Sequence, residues 1–122
     1  MSDAPTKAEQ ERIDRMKRLG CPACAFLEIV NVGCDLHHIL IGGVRAGHWY
    51  SIFLCPGHHR GAWSPEQLEL IEPHQRVAIS DGRKAFTRVY PSEREMWETV
   101  QRRLNLSTAW PLSKILSRRD VA

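Results

Sequence analysis

Apolar residues Ile13, Met16 and Leu19 recur on one face of a helix. Thr6-Lys7-Ala8-Glu9 ahead of them has the spacing of a capping box, and Gly20 behind them is a stop signal. The pattern predicts a helix over 7–18. It delivers the chain to Cys21-Pro22-Ala23-Cys24, a tight turn carrying two thiols. Leu27 to Val32 is apolar and β-branched and ends at Gly33. The runs 34–40 and 50–54 read as strands, and Gly42, Gly43 and Gly47 loosen the chain between them. Together they predict an antiparallel hairpin with a long loop. Pro56 opens a helix, and Ser64-Pro65-Glu66 opens another that runs through Leu68, Leu70 and Ile71 to Pro73. Asp81-Gly82 is a turn. Ser92-Glu93-Arg94-Glu95 is a second capping box, and Met96, Trp97, Val100 and Leu104 behind it form an apolar stripe read as core packing. Beyond Ser107, Trp110, Leu112, Ile115 and Leu116 carry only weak patterning.

A chain of 122 residues, 43% hydrophobic and 25% charged, suits one small domain, and the expected helices and hairpin make it α+β. Such a domain has a limited core, and a metal or disulfides often staple it. No apolar run is long enough to cross a membrane, and the opening MSDAPTKAEQ lacks the apolar stretch of an export signal. The expected location is the cytoplasm. All four cysteines lie between Cys21 and Cys55. In a reducing compartment, clustered cysteines beside histidines bind metal more often than they form disulfides. The net charge of +3 permits a polyanionic partner without demanding one.

Cys21-x-x-Cys24 supplies two zinc ligands from one turn, and Cys55-x-x-His58 supplies two more from a strand end and a helix start. Cys34 stands outside this set; a site using Cys34 in place of His58 is the alternative. Five of the six histidines lie between His37 and His59. Neighbours on a helix diverge by about 100°, so His58 and His59 cannot easily share an ion. Neighbours on a strand point to opposite faces, so His37 and His38 need separate roles unless the strand twists or ends there. Each pair is therefore a branch point. His59 and one strand histidine can hold a second metal, while the other strand histidine acts on a water. A neutral imidazole suits a general base near neutral pH.

The set Cys-x-x-Cys, a strand with His-His, a Gly/Arg/His loop and Leu-Cys-x-x-His-His opening a helix resembles the HNH endonucleases of the ββα-metal (His-Me finger) fold. More closely, Cys21 to Cys24, Leu36-His37-His38-Ile39, Gly47-His48 and Leu54-Cys55-x-x-His58-His59 resemble the phage recombination-enhancement (Ref) nucleases, which act with the RecA filament. That family's basic N-terminal arm is matched here only by the helix before Cys21. The resemblance implies a zinc-stapled ββα-metal domain with flanking helices: a helical segment over 1–20, a nuclease domain over 21–106 and a tail over 107–122. It implies a metal-dependent DNA endonuclease with structural Zn²⁺ on Cys21, Cys24, Cys55 and His58. It further implies a catalytic Mg²⁺ or similar ion on His37 and His59, and His38 as the base. His48 would orient that base or touch DNA, and Arg45 and Arg60 would meet phosphates. The partners implied are DNA and RecA. A zinc-stabilised nucleic-acid-binding module without catalysis is the alternative. A zinc hydrolase of another class would need a third ligand, for which Asp35 is the near candidate.

Overall fold

The computed structural model describes residues 4–110, so Leu112, Ile115 and Leu116 lie outside the described residues. Helix α1 spans Lys7–Lys17. Its capping box forms as expected: Glu9 N–H donates to Thr6 Oγ1 at 3.2 Å, and Thr6 N–H donates to Glu9 Oε1 at 2.8 Å. The helix buries Arg12, Ile13 and Met16. Gly20 then turns the chain with φ +76°, and an added Cβ there would meet the Asn31 carbonyl oxygen at 2.3 Å. That close approach lets Cys21 N–H donate to Asn31 O at 2.9 Å, which closes the knuckle around α2, Pro22–Phe26.

The β-branched stretch 27–32 forms no strand. Leu27 and Ile29 N–H groups both donate to Cys24 O, Glu28 takes a positive φ, and Val30 and Val32 are exposed. The loop has to return to Cys21 within a few residues, and an extended strand cannot do that.

Strands β1 (Asp35–His38) and β4 (Ser51–Leu54) pair antiparallel, with His37 opposite Ile52 and His38 opposite Ser51. Against the sequence pattern, β1 is three residues shorter and β4 one residue shorter. Between them a small ribbon forms from β2 (Leu40–Ile41) and β3 (Val44–Arg45), turned by Gly42 and Gly43 at positive φ. Two successive positive-φ residues make the hairpin turn that matches strand twist. Strand β4 is buried along its whole length. Helix α3, Pro56–Arg60, follows it at once and packs against both β1 and β4. The succession is β1, the β2–β3 ribbon, β4 and then α3.

Helices α4 (Pro65–Leu70), α5 (Arg83–Thr87) and α6 (Glu93–Arg103) complete the described residues, with two short 3₁₀ turns at Pro73–Gln75 and Ile79–Asp81. The α6 stripe packs as expected: Met96, Trp97, Val100 and Leu104 are buried in one cluster with Ile13, Met16, Ile52 and Leu54. Helix α1 therefore shares the core of the hairpin. Trp97 and Arg12 also pin the loop that follows β3. Trp97 Nε1 donates to Trp49 O at 3.1 Å. Arg12 donates to Gln101 Oε1 at 2.7 Å and to Ser51 Oγ at 3.3 Å, and Ser51 Oγ donates to His48 O at 2.6 Å. Burial lowers the pKa of the Arg12 guanidinium to about 10. The core thus fixes the backbone that carries His48.

Candidate functional site

Two constellations arise on opposite sides of α3. In the first, Cys21 is the N-cap of α2 and Cys55 the N-cap of α3, each followed by a proline. The same local geometry occurs twice. Cys24 N–H donates to Cys21 Sγ at 3.4 Å, and His58 N–H donates to Cys55 Sγ at 3.3 Å. All four residues are buried, and their ligand atoms lie within 4.8 Å of one another. His58 Nδ1 is 3.7 Å from Cys21 Sγ, 3.5 Å from Cys24 Sγ and 3.2 Å from Cys55 Sγ, and the sulfurs of Cys24 and Cys55 are 3.7 Å apart. A tetrahedral zinc with bonds of about 2.3 Å to sulfur and 2.0 Å to nitrogen sets edges of about 3.8 and 3.5 Å. The cluster has those dimensions, so it can hold a zinc ion.

The electrostatics agree. The Cys24 thiol is pushed well above its ordinary value, first by Cys21 and then by Cys55 and burial, whereas hydrogen bonds from Cys24, Cys34 and Cys55 push Cys21 down. One thiolate makes a second costly unless a cation compensates both. Burial opposes charge on His58, but Cys21 and Cys55 outweigh it and raise its pKa to about 9. A divalent ion at the centre resolves this competition, because metal ligation deprotonates both thiols and imidazole.

Cys34 does not join the four. Its thiol donates to Asn31 O at 3.1 Å, and the fourth position belongs to His58. Gln67 and Asn31 are contributors that sequence reasoning missed. Gln67 Nε2 donates to Cys55 Sγ at 3.1 Å and to Cys24 Sγ at 3.7 Å, and Asn31 Nδ2 reaches Cys24 Sγ at 3.9 Å. N–H donors to ligand sulfur orient the ligands and stabilise their charge. In the sequence Gln67 is visible only as the capping partner of Ser64, a bond it also makes.

The second constellation lies on the other face of α3. A cavity of about 580 Å³ is lined by His37, His38, Arg45, His59, Arg83 and Glu93, among others. His37 and His38, the last two residues of β1, both line it. His58 and His59 diverge as helix geometry requires, one to the cysteines and one to this cavity.

The rings pair off. His37 lies 5.3 Å from His59 between centroids, and His38 lies 4.9 Å from His48. His38 Nε2 is 2.9 Å from His48 Nδ1, and Arg45 Nη2 is 3.3 Å from His38 Nδ1. An arginine only donates, so His38 Nδ1 is an acceptor and Nε2 carries the proton given to His48. Burial, then the charge of Arg45, lowers the His38 pKa, which keeps this imidazole neutral.

Carboxylates hold the other two histidines. His37 Nε2 is 2.7 Å from Glu93 Oε2, and His59 Nδ1 is 3.2 Å from Asp35 Oδ2. Arg83 donates to the other oxygen of Glu93, and Arg60 Nε donates to Asp35 Oδ2 at 3.2 Å. Burial works against the charge of Glu93, but His37 and Arg83 outweigh it and leave its pKa below the ordinary value. Hydrogen bonds from His59 and Arg60 lower Asp35 likewise. The sequence shows Glu93 only as a residue of the capping box of α6. Nothing local marks its contact with a histidine 56 residues away.

Among the described residues no helix is long and apolar enough to cross a membrane. A search of curated proteins finds no match. A family model described as "Recombination enhancement, RecA-dependent nuclease" matches residues 5–105, a span that takes in α1, both constellations and α6. With most of its length matched, the chain belongs to the RecA-dependent, recombination-enhancement nuclease family.

Proposed function

We propose that the protein is a metal-dependent DNA endonuclease of the HNH, ββα-metal type that hydrolyses phosphodiester bonds alongside a RecA filament in phage or prophage recombination. The observation that carries this reading is the cavity where His37, His38, His59 and Arg45 meet beside α3. In this reading, Cys21, Cys24, Cys55 and His58 hold a structural zinc on one side of α3, and His37 and His59 hold Mg²⁺ or a similar cation in the cavity on the other. The nuclease domain is 21–106, preceded by the helical segment 1–20.

His37 and His59 each have one ring nitrogen on a carboxylate and one remaining, which fits two-imidazole ligation of an otherwise open ion. When bound, that ion supplies positive charge where negative charge builds on the phosphate and on the leaving 3′-oxygen. His38 Nδ1 takes the proton of the attacking water. Arg45, which donates to this nitrogen in the structure, turns to a phosphate oxygen when DNA enters. His48 accepts a hydrogen bond from His38 Nε2–H, which holds the ring in that tautomer and steadies the imidazolium as it forms. Arg60, at the rim, meets the DNA backbone.

The test is cleavage of single-stranded, duplex and RecA-coated DNA with Mg²⁺, Mn²⁺, Co²⁺ or Ni²⁺. Metal-dependent nicking is expected from the parent. If none of these substrates is cut under any of these conditions, the chain is a zinc-stapled binding module.

A further inference from the structure

We propose that Glu93 is a positioning residue for His37: it holds the proton on Nε2 and so presents Nδ1 to the divalent ion. The inference rests on the reading in which His37 and His59 bind that ion.

Glu93 is the first residue of α6 and is only 7% exposed. Its Oε2 sits 2.7 Å from His37 Nε2, while Oε1 accepts from Arg83 Nε. Arg83 Nη2 also donates to Leu40 O at 3.4 Å, which ties the group to β2. An ionised carboxylate has no proton to give, so at this distance His37 Nε2 must carry one. A neutral His37 then has its lone pair on Nδ1. A carboxylate at the start of a helix is further favoured by the exposed N–H groups there.

Glu93 could instead be a third ligand, but two observations speak against it. Both of its oxygens are already engaged, by His37 and by Arg83. Among the described residues, His37, His59 and Glu93 do not gather their ligand atoms into one group, as the three cysteines and His58 do. Asp35 holds the opposite nitrogen, Nδ1, of His59. The two carboxylates therefore select different faces of the two imidazoles, and the remaining nitrogens are Nδ1 of His37 and Nε2 of His59. Such outer partners typically change metal affinity by about 10–100-fold.

The test compares the full-length parent with Glu93→Ala, Glu93→Gln and His37→Ala, each loaded with structural zinc. Long-range ¹H–¹⁵N spectra at one pH read the His37 tautomer, Mn²⁺ binding is followed by electron paramagnetic resonance, and DNA nicking is measured against Mn²⁺ concentration. The parent should show His37 protonated on Nε2. Glu93→Ala should mix the two tautomers and weaken Mn²⁺ binding about 10–100-fold. Its nicking should need correspondingly more Mn²⁺ to reach half-maximal rate. Glu93→Gln should shift both readouts the same way by less, and it decides the matter if Glu93→Ala fails to fold. An unchanged tautomer and Mn²⁺ affinity in the folded variants would make Glu93 a packing residue and sink the inference alone. Loss of Mn²⁺ as complete as in His37→Ala, with no recovery at high concentration, would make it a ligand and also sink it. A parent whose Mn²⁺ binding is untouched by His37→Ala overturns the proposed function, and this inference with it.

Discussion

His38 and His59 sit in one cavity, but their removal should fail differently. His38→Ala should keep the fold and the structural zinc, while nicking falls about 10²–10⁴-fold, the usual cost of a missing general base. More Mg²⁺ or Mn²⁺ should not restore it. His59→Ala should also lose nicking, and raising the metal concentration should recover part of it. A His38→Ala protein that nicks at the parent rate would remove the base assignment. The acid limb of the pH–rate profile follows from the same residue. Only neutral His38 can take a proton, so the rate falls as pH drops through its pKa. Burial, then Arg45, lowers that pKa, so the midpoint should lie below the ordinary histidine value of about 6.5. Arg45→Ala removes one cause and should move the midpoint upward. A midpoint that stays put in Arg45→Ala would show that this charge does not reach the base.

At the scale of elements, the knuckle before α2 depends on the contact of one glycine with backbone. Gly20→Ala would place a Cβ 2.3 Å from Asn31 O at a φ of +76°. The chain must shift, and the Cys21 N–H to Asn31 O bond opens with it. A loss of about 1–3 kcal/mol is expected, together with faster zinc release to a chelator; thermal unfolding and a zinc-release assay would measure the two. An unchanged melting temperature would mean that the loop 27–32 relaxes freely. The loop after β3 depends on α6 instead. Trp97→Phe keeps most of the buried ring but removes the bond to Trp49 O, a loss of about 0.5–1.5 kcal/mol. The effect on nicking should exceed the effect on zinc content, because that loop carries His48 and no zinc ligand. Equal losses of both would mean that the loop and the zinc knuckles unfold together.

For the molecule as a whole, one core joins α1, the hairpin and α6, while the cluster of three cysteines and His58 ties α2 to α3. A small core of this kind leaves metal binding to supply folding energy. Cys55→Ser should lose zinc and cooperative unfolding together, and a strong chelator should unfold the parent; native-like circular dichroism in zinc-free protein would contradict this. The charged rim of the cavity predicts binding that weakens steeply with salt. The slope of log K against log salt should fall by about one for Arg45→Ala if that side chain neutralises one phosphate. A slope identical to the parent's would place Arg45 off the DNA backbone.

Features set by local geometry were legible in the sequence. Two x-x spacings, each with a proline after the cysteine, put two ligands on each of two turns. The helical angle between His58 and His59, and the capping boxes at Thr6 and Ser92, were legible for the same reason. Their partners lie within four residues, where backbone dihedrals alone decide who meets whom. The tertiary structure decided the remainder. It turned the β-branched stretch 27–32 into a loop, because Asn31 had to reach back to Cys21. It placed both strand histidines on the border of one cavity at the end of β1. It set Gln67 on the sulfur of Cys55 and Glu93 on His37. Those contacts depend on how α4 and α6 pack against the hairpin, and that packing is driven by apolar burial, which is non-directional. Periodicity can mark which helix face is buried, but not which polar side chain at its end will meet which partner.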